Sequence, residues 1–292
     1  MSFQIDQAEI HMMPANFGPC GGPRRRPDGK RFVADGAIVT DRYVVLAEAE
    51  DPAQLEAILP EGMKLAQPLL IVAIDYLTDI PWLAGNKYAL MFFDIPVILD
   101  SDEGPLKGHF MSCIFENEVD PIITGREQLG YCKILCEIDD PVVDGTKVTL
   151  KASEYGNEFL SMTFDAGQYP QDPGAFQAFF ADMATDIGVF HYKYMQQIGS
   201  PAEKADSNYI CMTPNVFEFP VDEYAKPVTP DQVMKPGFGE FSMNELTWEQ
   251  SPAHYNVIKT LSGIKIKRCI GGLYNKFYNL NDLYSQRIVK EY

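Results

Sequence analysis

The sequence predicts an α+β fold, mostly an antiparallel β-barrel or cone with a few peripheral helices. Three observations carry this. Segments rich in β-branched and aromatic residues recur between turn residues, helix-period stretches are few, and neither βα alternation nor a Gly-rich nucleotide loop is present, which argues against a Rossmann or TIM-barrel architecture. With 292 residues, 46% of them hydrophobic and 22% charged, one large core is the economical arrangement.

Taken in order, the first segment carries Pro14, Gly18, Pro19, Gly21, Gly22, Pro23, Pro27 and Gly29, a density that denies regular structure. Residues 1–36 are therefore expected to form an N-terminal arm used in subunit contact, followed by a single domain over 37–292. The basic run Arg24, Arg25, Arg26, Lys30 and Arg31 reads as a solvated loop or contact segment. From Ala37 to Ala47, AIVTDRYVVLA has a strand signature. Asp51-Pro52 then opens a short helix with Leu55, Ile58 and Leu59 on one side, closed by Pro60-Glu61-Gly62. Strands follow at Leu69–Tyr76, at Tyr88–Leu99 with Pro96 marking an edge or bulge, and at Gly108–Phe115. Further strands are expected at Lys133–Ile138, Lys147–Ala152, Glu158–Phe164, Asn208–Phe219 and Leu261–Leu273, with helices near Ala175–Ala184 and Leu280–Tyr292.

Forty-one acidic against 24 basic residues give a formal net charge of −17, which opposes nucleic acid or an anionic membrane as a general partner. No apolar run approaches the roughly 20 residues of a membrane helix, and MSFQIDQAEIHMM lacks the basic start and apolar stretch of a leader, so a cytoplasmic protein is expected. The six cysteines, at positions 20, 113, 132, 136, 211 and 269, form no CxxC and no Cys/His cluster; reduced thiols are expected rather than zinc or disulfides. His11, His109 and His191 have no partner at ligand or triad spacing, and metal catalysis is not expected.

The most informative stretch is Glu116 to Ile138, ENEVDPIITGREQLGYCKILCEI, where a polar, turn-forming approach ends in a strand holding one lysine. Alternation points Tyr131, Lys133 and Leu135 one way and Cys132, Ile134, Cys136 and Ile138 the other, so both faces are largely apolar. Desolvation there disfavours an ammonium and leaves free amine, the form that attacks carbonyls. The protonated imine that results is an electron sink for losing carbon dioxide or a proton at the adjacent carbon.

GREQLGYCK, Gly125 to Lys133, resembles the Gly-Arg-Glu, four-residue spacer, Pro-Lys pattern of the acetoacetate decarboxylase family. Phe115 to Val119 is similar to the family's aromatic strand and Asn-Glu turn, and weaker likeness extends to Leu59-Pro60-Glu61, Ile95-Pro96-Val97 and Pro214-Asn215. The resemblance implies a β-barrel cone, homo-oligomers and Schiff-base catalysis without cofactor or metal. Residue by residue it makes Lys133 the Schiff-base lysine and Tyr131 a pocket neighbour, with Arg126 and Glu127 a partly buried pair shaping the turn. Arg42, or alternatively Arg31, would bind the substrate's carboxylate. Two positions depart from the pattern. Ile134 stands where the decarboxylases carry a second lysine, and Tyr88-Ala89-Leu90 puts leucine where their Tyr-x-Glu acid lies. Asp75, Asp79, Asp94 and Glu118 are the candidate replacements for that acid, and His254-Tyr255 offers Tyr255 as a further one. The expected function is a Schiff-base-forming carbon–carbon lyase on a small 2-oxo or 3-oxo acid, in the first place aldol condensation and dehydration of pyruvate with an aldehyde. Decarboxylation of acetoacetate or a related β-keto acid is the alternative, and a non-catalytic binding barrel is the alternative of another class.

Overall fold

The computed structural model of the protein describes residues 4–6, 8, 11–18, 38–199, 204–214, 233–279 and 286–292. Among the described residues of the expected arm is a 3₁₀ turn at Ala15–Phe17, and the basic run 24–31 lies outside the described residues. Strand β1 (Ile38–Ala49) leads through Asp51, which caps helix α1 (Pro52–Glu56) by accepting from the Ala53 N–H. Then come β2 (Met63–Leu65), β3 (Leu69–Ile80), β4 (Asn86–Ser101), β5 (Gly104–Glu116), α2 (Val119–Gln128), β6 (Lys133–Leu135), β7 (Glu137–Ile138) and β8 (Val142–Asp144). The second half holds β9 (Lys147–Glu154), β10 (Asn157–Asp165), α3 (Pro173–Met183), β11 (Gly188–Gln196), β12 (Ala205–Pro214), β13 (Val233–Met243), α4 (Tyr255–Ser262), β14 (Ile266–Asn279) and β15 (Arg287–Glu291).

These strands make one sheet in the order β15-β12-β11-β5-β4-β3-β1-β14-β13-β10-β9-β7, with β2 on β4, β6 on β5 and β8 on β9. Among the described residues no ladder joins β15 to β7, so the sheet curls without closing into the expected barrel. Pairing is antiparallel apart from β11 and β6, which lie parallel to β5 and share one edge of it: β11 takes His109 and Phe110, β6 takes Ile114 to Glu116.

Several expectations are corrected. Pro96 is on an internal strand, at the point where β4 changes neighbour from β3 to β2 and a donor is not needed. The bulge is on β5 instead: Phe93 faces Cys113 and Asp94 faces Met111, leaving Ser112 extra. Leu261 and Ser262 end α4 rather than starting a strand, because Ile258 and Leu261 form a buried helical stripe. The expected C-terminal helix is strand β15 at 287–291, drawn out by pairing with β12, and 280–285 lie outside the described residues. The polar approach to Lys133 folds as α2, and β11 and β13 were not anticipated.

The sheet has two differently furnished faces. Val45, Phe93, Phe115, Leu150, Phe159 and Phe190 belong to the larger core. Val44, Leu46, Phe92 and Ile114 meet Phe176 and Phe179 of α3 on the other side. That second face buries Asp75, Asp94, His109, Glu116, Lys133 and His191.

Candidate functional site

Lys133 is placed by three elements. In the parallel β5–β6 pair Lys133 stands beside Ile114 and Leu135 beside Glu116, so Lys133 points to the same side as Glu116. Helix α2 then crosses over the lysine. It opens at Glu118, whose carboxylate accepts from the Val119 N–H at 2.9 Å, and its interior Gly125 leaves the space that the lysine stem fills. A Cβ at Gly125 would lie 2.5 Å from Lys133 Cδ, 2.6 Å from Cε and 2.9 Å from Nζ. Glycine inside a helix costs about 1 kcal/mol relative to alanine; here the close approach requires it.

The lysine side chain is 8% exposed and Glu116 is fully buried. Nζ lies 2.8 Å from Glu116 Oε1, donates to the Pro121 carbonyl at 3.2 Å, and stands 5.3 Å from the centre of the Tyr131 ring. Neither Glu116 oxygen receives a well-directed hydrogen bond, so the ammonium is its compensating charge. Burial raises the Glu116 carboxyl above its ordinary value, with Lys133 opposing the shift. A carboxylate so placed takes a proton more readily than one in water.

The ladder extends this pair across the sheet. Arg42 is opposite Asp75, Asp75 opposite Leu90, and Leu90 opposite Glu116, one row on one face of four strands. Arg42 and Glu116 are three strand spacings apart, about 14 Å between backbones. The Arg42 guanidinium is bound in a fork by Asp75, at 2.8 and 2.7 Å, and lies between the Phe92 and Phe277 rings, 5.1 and 5.0 Å from their centres. Leu90 and Phe92 thus form an apolar floor between a cation and an amine.

Two buried polar groups border the floor. Tyr131 packs on His191 with ring centres 4.0 Å apart, and the Thr213 hydroxyl is shared by the Tyr131 hydroxyl and His191 Nε2, each at 3.1 Å, and by Gln286 at 2.8 Å. Burial first, and then Lys133, push His191 down to about 3 and keep it neutral. On the other flank His109 Nε2 is 2.9 Å from Asp186, and its Nδ1 is 4.0 Å from Asp94. Burial raises Asp94 to about 6, with His109 and Arg42 opposing. A separate cleft of about 370 Å³ lined by Gln171, Asp172, Phe238, Glu240, Arg268 and Cys269 does not reach Lys133. Its arginine is already held by Glu48 and Asp172.

Of the residues expected at the site, Lys133, Tyr131 and Arg42 share this face. Tyr88 packs against Trp82, ring centres 6.3 Å apart, at the start of β4. Glu118 caps α2, and Asp79 is exposed. Tyr255 begins α4 at 39% exposure, and that helix buries Ile258 and Leu261 in the larger core, on the opposite side. Arg126 and Glu127 serve other groups: Arg126 donates to the Lys133 carbonyl at 2.8 Å, and the Glu127 carbonyl accepts from Lys193 at 2.7 Å. Arg31 lies outside the described residues. The residue that sequence reasoning missed is Glu116. The expected strand stopped at Phe115, and one more step of its alternation would have put Glu116 on the face opposite that phenylalanine.

Among solved structures, an acetoacetate decarboxylase from Legionella pneumophila is similar at a TM-score of 0.60 with 16% identity, over 91% of this chain and 93% of that one. The enduracididine biosynthesis enzyme MppR, complexed with the condensation product of pyruvate and imidazole 4-carboxaldehyde, gives 0.58 and 11%, over 87% of this chain and 89% of that one. An acetoacetate decarboxylase-like enzyme from Sphingomonas wittichii RW1 gives 0.56 and 15%, over 91% and 96%. At these identities the likeness is one of fold. No curated protein matches the sequence. The acetoacetate decarboxylase family model matches residues 21–269, and on that match this chain belongs to the acetoacetate decarboxylase family.

Proposed function

We propose that the protein is a lyase that forms a Schiff base between Lys133 and a small 2-oxo acid, in the first place pyruvate, and joins or separates carbon–carbon bonds at the adjacent carbon. The observation that carries the reading is the Lys133 amine, 8% exposed and 2.8 Å from a buried carboxylate. A carboxylate within hydrogen-bond reach is the proton acceptor through which the amine is freed. The imine then draws electrons from the adjacent carbon, and a carbanion formed there can add to an aldehyde. Arg42, its charge already balanced by the Asp75 fork, offers the acid's carboxylate guanidinium donors rather than a net charge, and the apolar floor of Leu90 and Phe92 suits the rest of the substrate. Condensation is preferred over decarboxylation because Leu90 removes the acid that the family resemblance places at that position, and because MppR, of similar fold, holds a pyruvate–aldehyde condensation product.

Borohydride in the presence of pyruvate should reduce the imine to a stable secondary amine on the peptide containing Lys133. An unmodified Lys133 under saturating pyruvate and acetoacetate overturns the enzyme reading and leaves a binding barrel. Pyruvate with an aromatic aldehyde should then yield a conjugated enone absorbing in the near ultraviolet. Carbon dioxide release from acetoacetate without condensation overturns the preference for aldol chemistry.

A further inference from the structure

We propose that Glu116 is the proton carrier of this site and replaces, from the neighbouring strand, the carboxylate missing at Leu90. This deepens the Schiff-base reading and rests on it. Leu90 and Glu116 are cross-strand partners in one row, and a leucine in that row closes one route for a carboxylate toward the amine while the next residue along it opens another. Glu116 Oε1 is 2.8 Å from Lys133 Nζ, within the reach a general acid or base needs.

The other acids of this face stand against groups other than Lys133. Asp75 holds Arg42 through both oxygens. Asp94 keeps one buried oxygen without a partner, but it stands opposite Met111 and 4.0 Å from His109, four residues along β4 from the Leu90–Glu116 pair that meets Lys133. Glu118 is spent on the cap of α2. Glu116 has Lys133 as its compensating charge and both oxygens buried without a directed hydrogen bond, which is the state of a group that gives and takes a proton rather than one fixed in a network.

The steps balance on these atoms. The Lys133 ammonium passes one proton to the Glu116 carboxylate, leaving amine and carboxylic acid. The nitrogen lone pair attacks the keto carbon, and the carbonyl π pair moves to oxygen. One proton then moves from that nitrogen to the oxygen, giving the neutral carbinolamine. Glu116 returns its proton to the carbinolamine hydroxyl, the C–O bond breaks as the nitrogen lone pair forms C=N, and water leaves. The products are the protonated imine and the Glu116 carboxylate, now an ion pair in the geometry of the original one. No other acid is required, and the carboxylate stays beside the cation that drives the following step.

The experiment is the rate of borohydride-trapped adduct on Lys133 with pyruvate, per folded molecule, in wild type and in Glu116→Gln. The substitution keeps the shape of the side chain and removes its proton exchange, so adduct formation should slow by about 10²-fold or more. Glu116→Gln reacting at the wild-type rate overturns the proposal. If the glutamine variant fails to fold, Glu116→Asp serves: it keeps the charge and draws the carboxylate back by one methylene, which should slow trapping about tenfold within the range of acid–base contributions, and a wild-type rate again overturns it. Absence of adduct in the wild type would remove the Lys133 reading itself, whereas a wild-type adduct with an unaffected Glu116 variant removes only the role of Glu116.

Discussion

Phe115 and Glu116 are consecutive, both are fully buried, and they face opposite sides of one strand. Phe115 packs between Phe93 and Phe159, with ring centres at 6.1 and 5.1 Å, within the larger apolar core. Glu116 meets Lys133 in a face that also buries Asp75, Asp94, His109 and His191. The first face obtains its stability from packing. The second holds charges whose desolvation costs stability and whose chemistry is the reason to retain them. Substitutions on the two faces should therefore separate folding from reactivity.

The largest effect is expected on the apolar face. Phe115→Ala should lose about 3–5 kcal/mol of unfolding free energy, since a ring wedged between two others leaves a cavity the sheet cannot close; a urea midpoint within about 0.3 M of wild type would show that this face is not the structural one. Next comes Asp94→Asn. Asp94 is raised from 3.8 to about 6, so the unfolded chain loses this proton before the folded one does. The contribution is fully present below pH 3.8 and is lost as pH rises to about 6, amounting to about 3 kcal/mol by the usual 1.36 kcal/mol per unit. The asparagine variant should gain stability relative to wild type as pH rises through this window. His191, depressed to about 3, has the opposite slope, destabilising as pH falls below its unfolded value, and it cancels in the difference between the two proteins. A pH-independent difference in thermal midpoints would remove Asp94 as the titrating group.

Gly125→Ala sharpens the contrast in the other direction. The added methyl meets the flexible stem of Lys133, so stability should fall by about 1–3 kcal/mol as for other overpacked sites, while trapping at Lys133 slows far more than the folded fraction declines. Equal losses in folding and trapping would mean that the glycine matters only to the helix. Smallest of all is Lys87→Ala. Its partner Asp140 is 78% exposed and Lys87 itself 67%, so the change should stay within about 0.5 kcal/mol, and a larger shift in urea midpoint would mean the pair is screened less than its exposure implies.

The long strands were legible because their residues are β-branched and bounded by turn residues, as in Ile38–Ala49 and Leu69–Ile80. Helix α3 was legible from the spacing of Phe176, Phe179 and Phe180, and α1 from its Asp-Pro start. Strand β15 was not, since Arg287–Glu291 has no decisive period and takes its conformation from β12. Helix α2 was hidden by Pro121 and Gly125, which read as turn formers. In the folded chain Pro121 sits in the first turn, where its missing donor is harmless, and Gly125 yields to Lys133.

By itself the sequence determined that Lys133 lies on a strand, because residue type over a few positions needs no information from afar; the expected strand Lys133–Ile138 is in fact divided into β6 and β7, and the lysine's side meets Glu116 rather than apolar residues alone. It also determined that the family's acid is absent at Leu90, since that is a matter of residue type. Only the tertiary structure decided what takes its place. Glu116 reaches Lys133 because β6 pairs in parallel with the end of β5, a contact between segments separated by a helix. His109 joins the same face because Ser112 inserts one residue into β5: residues 109 and 116 differ in parity and would otherwise face opposite sides. Register and bulge arise from pairing between strands, and pairing is a property of the sheet rather than of any one segment.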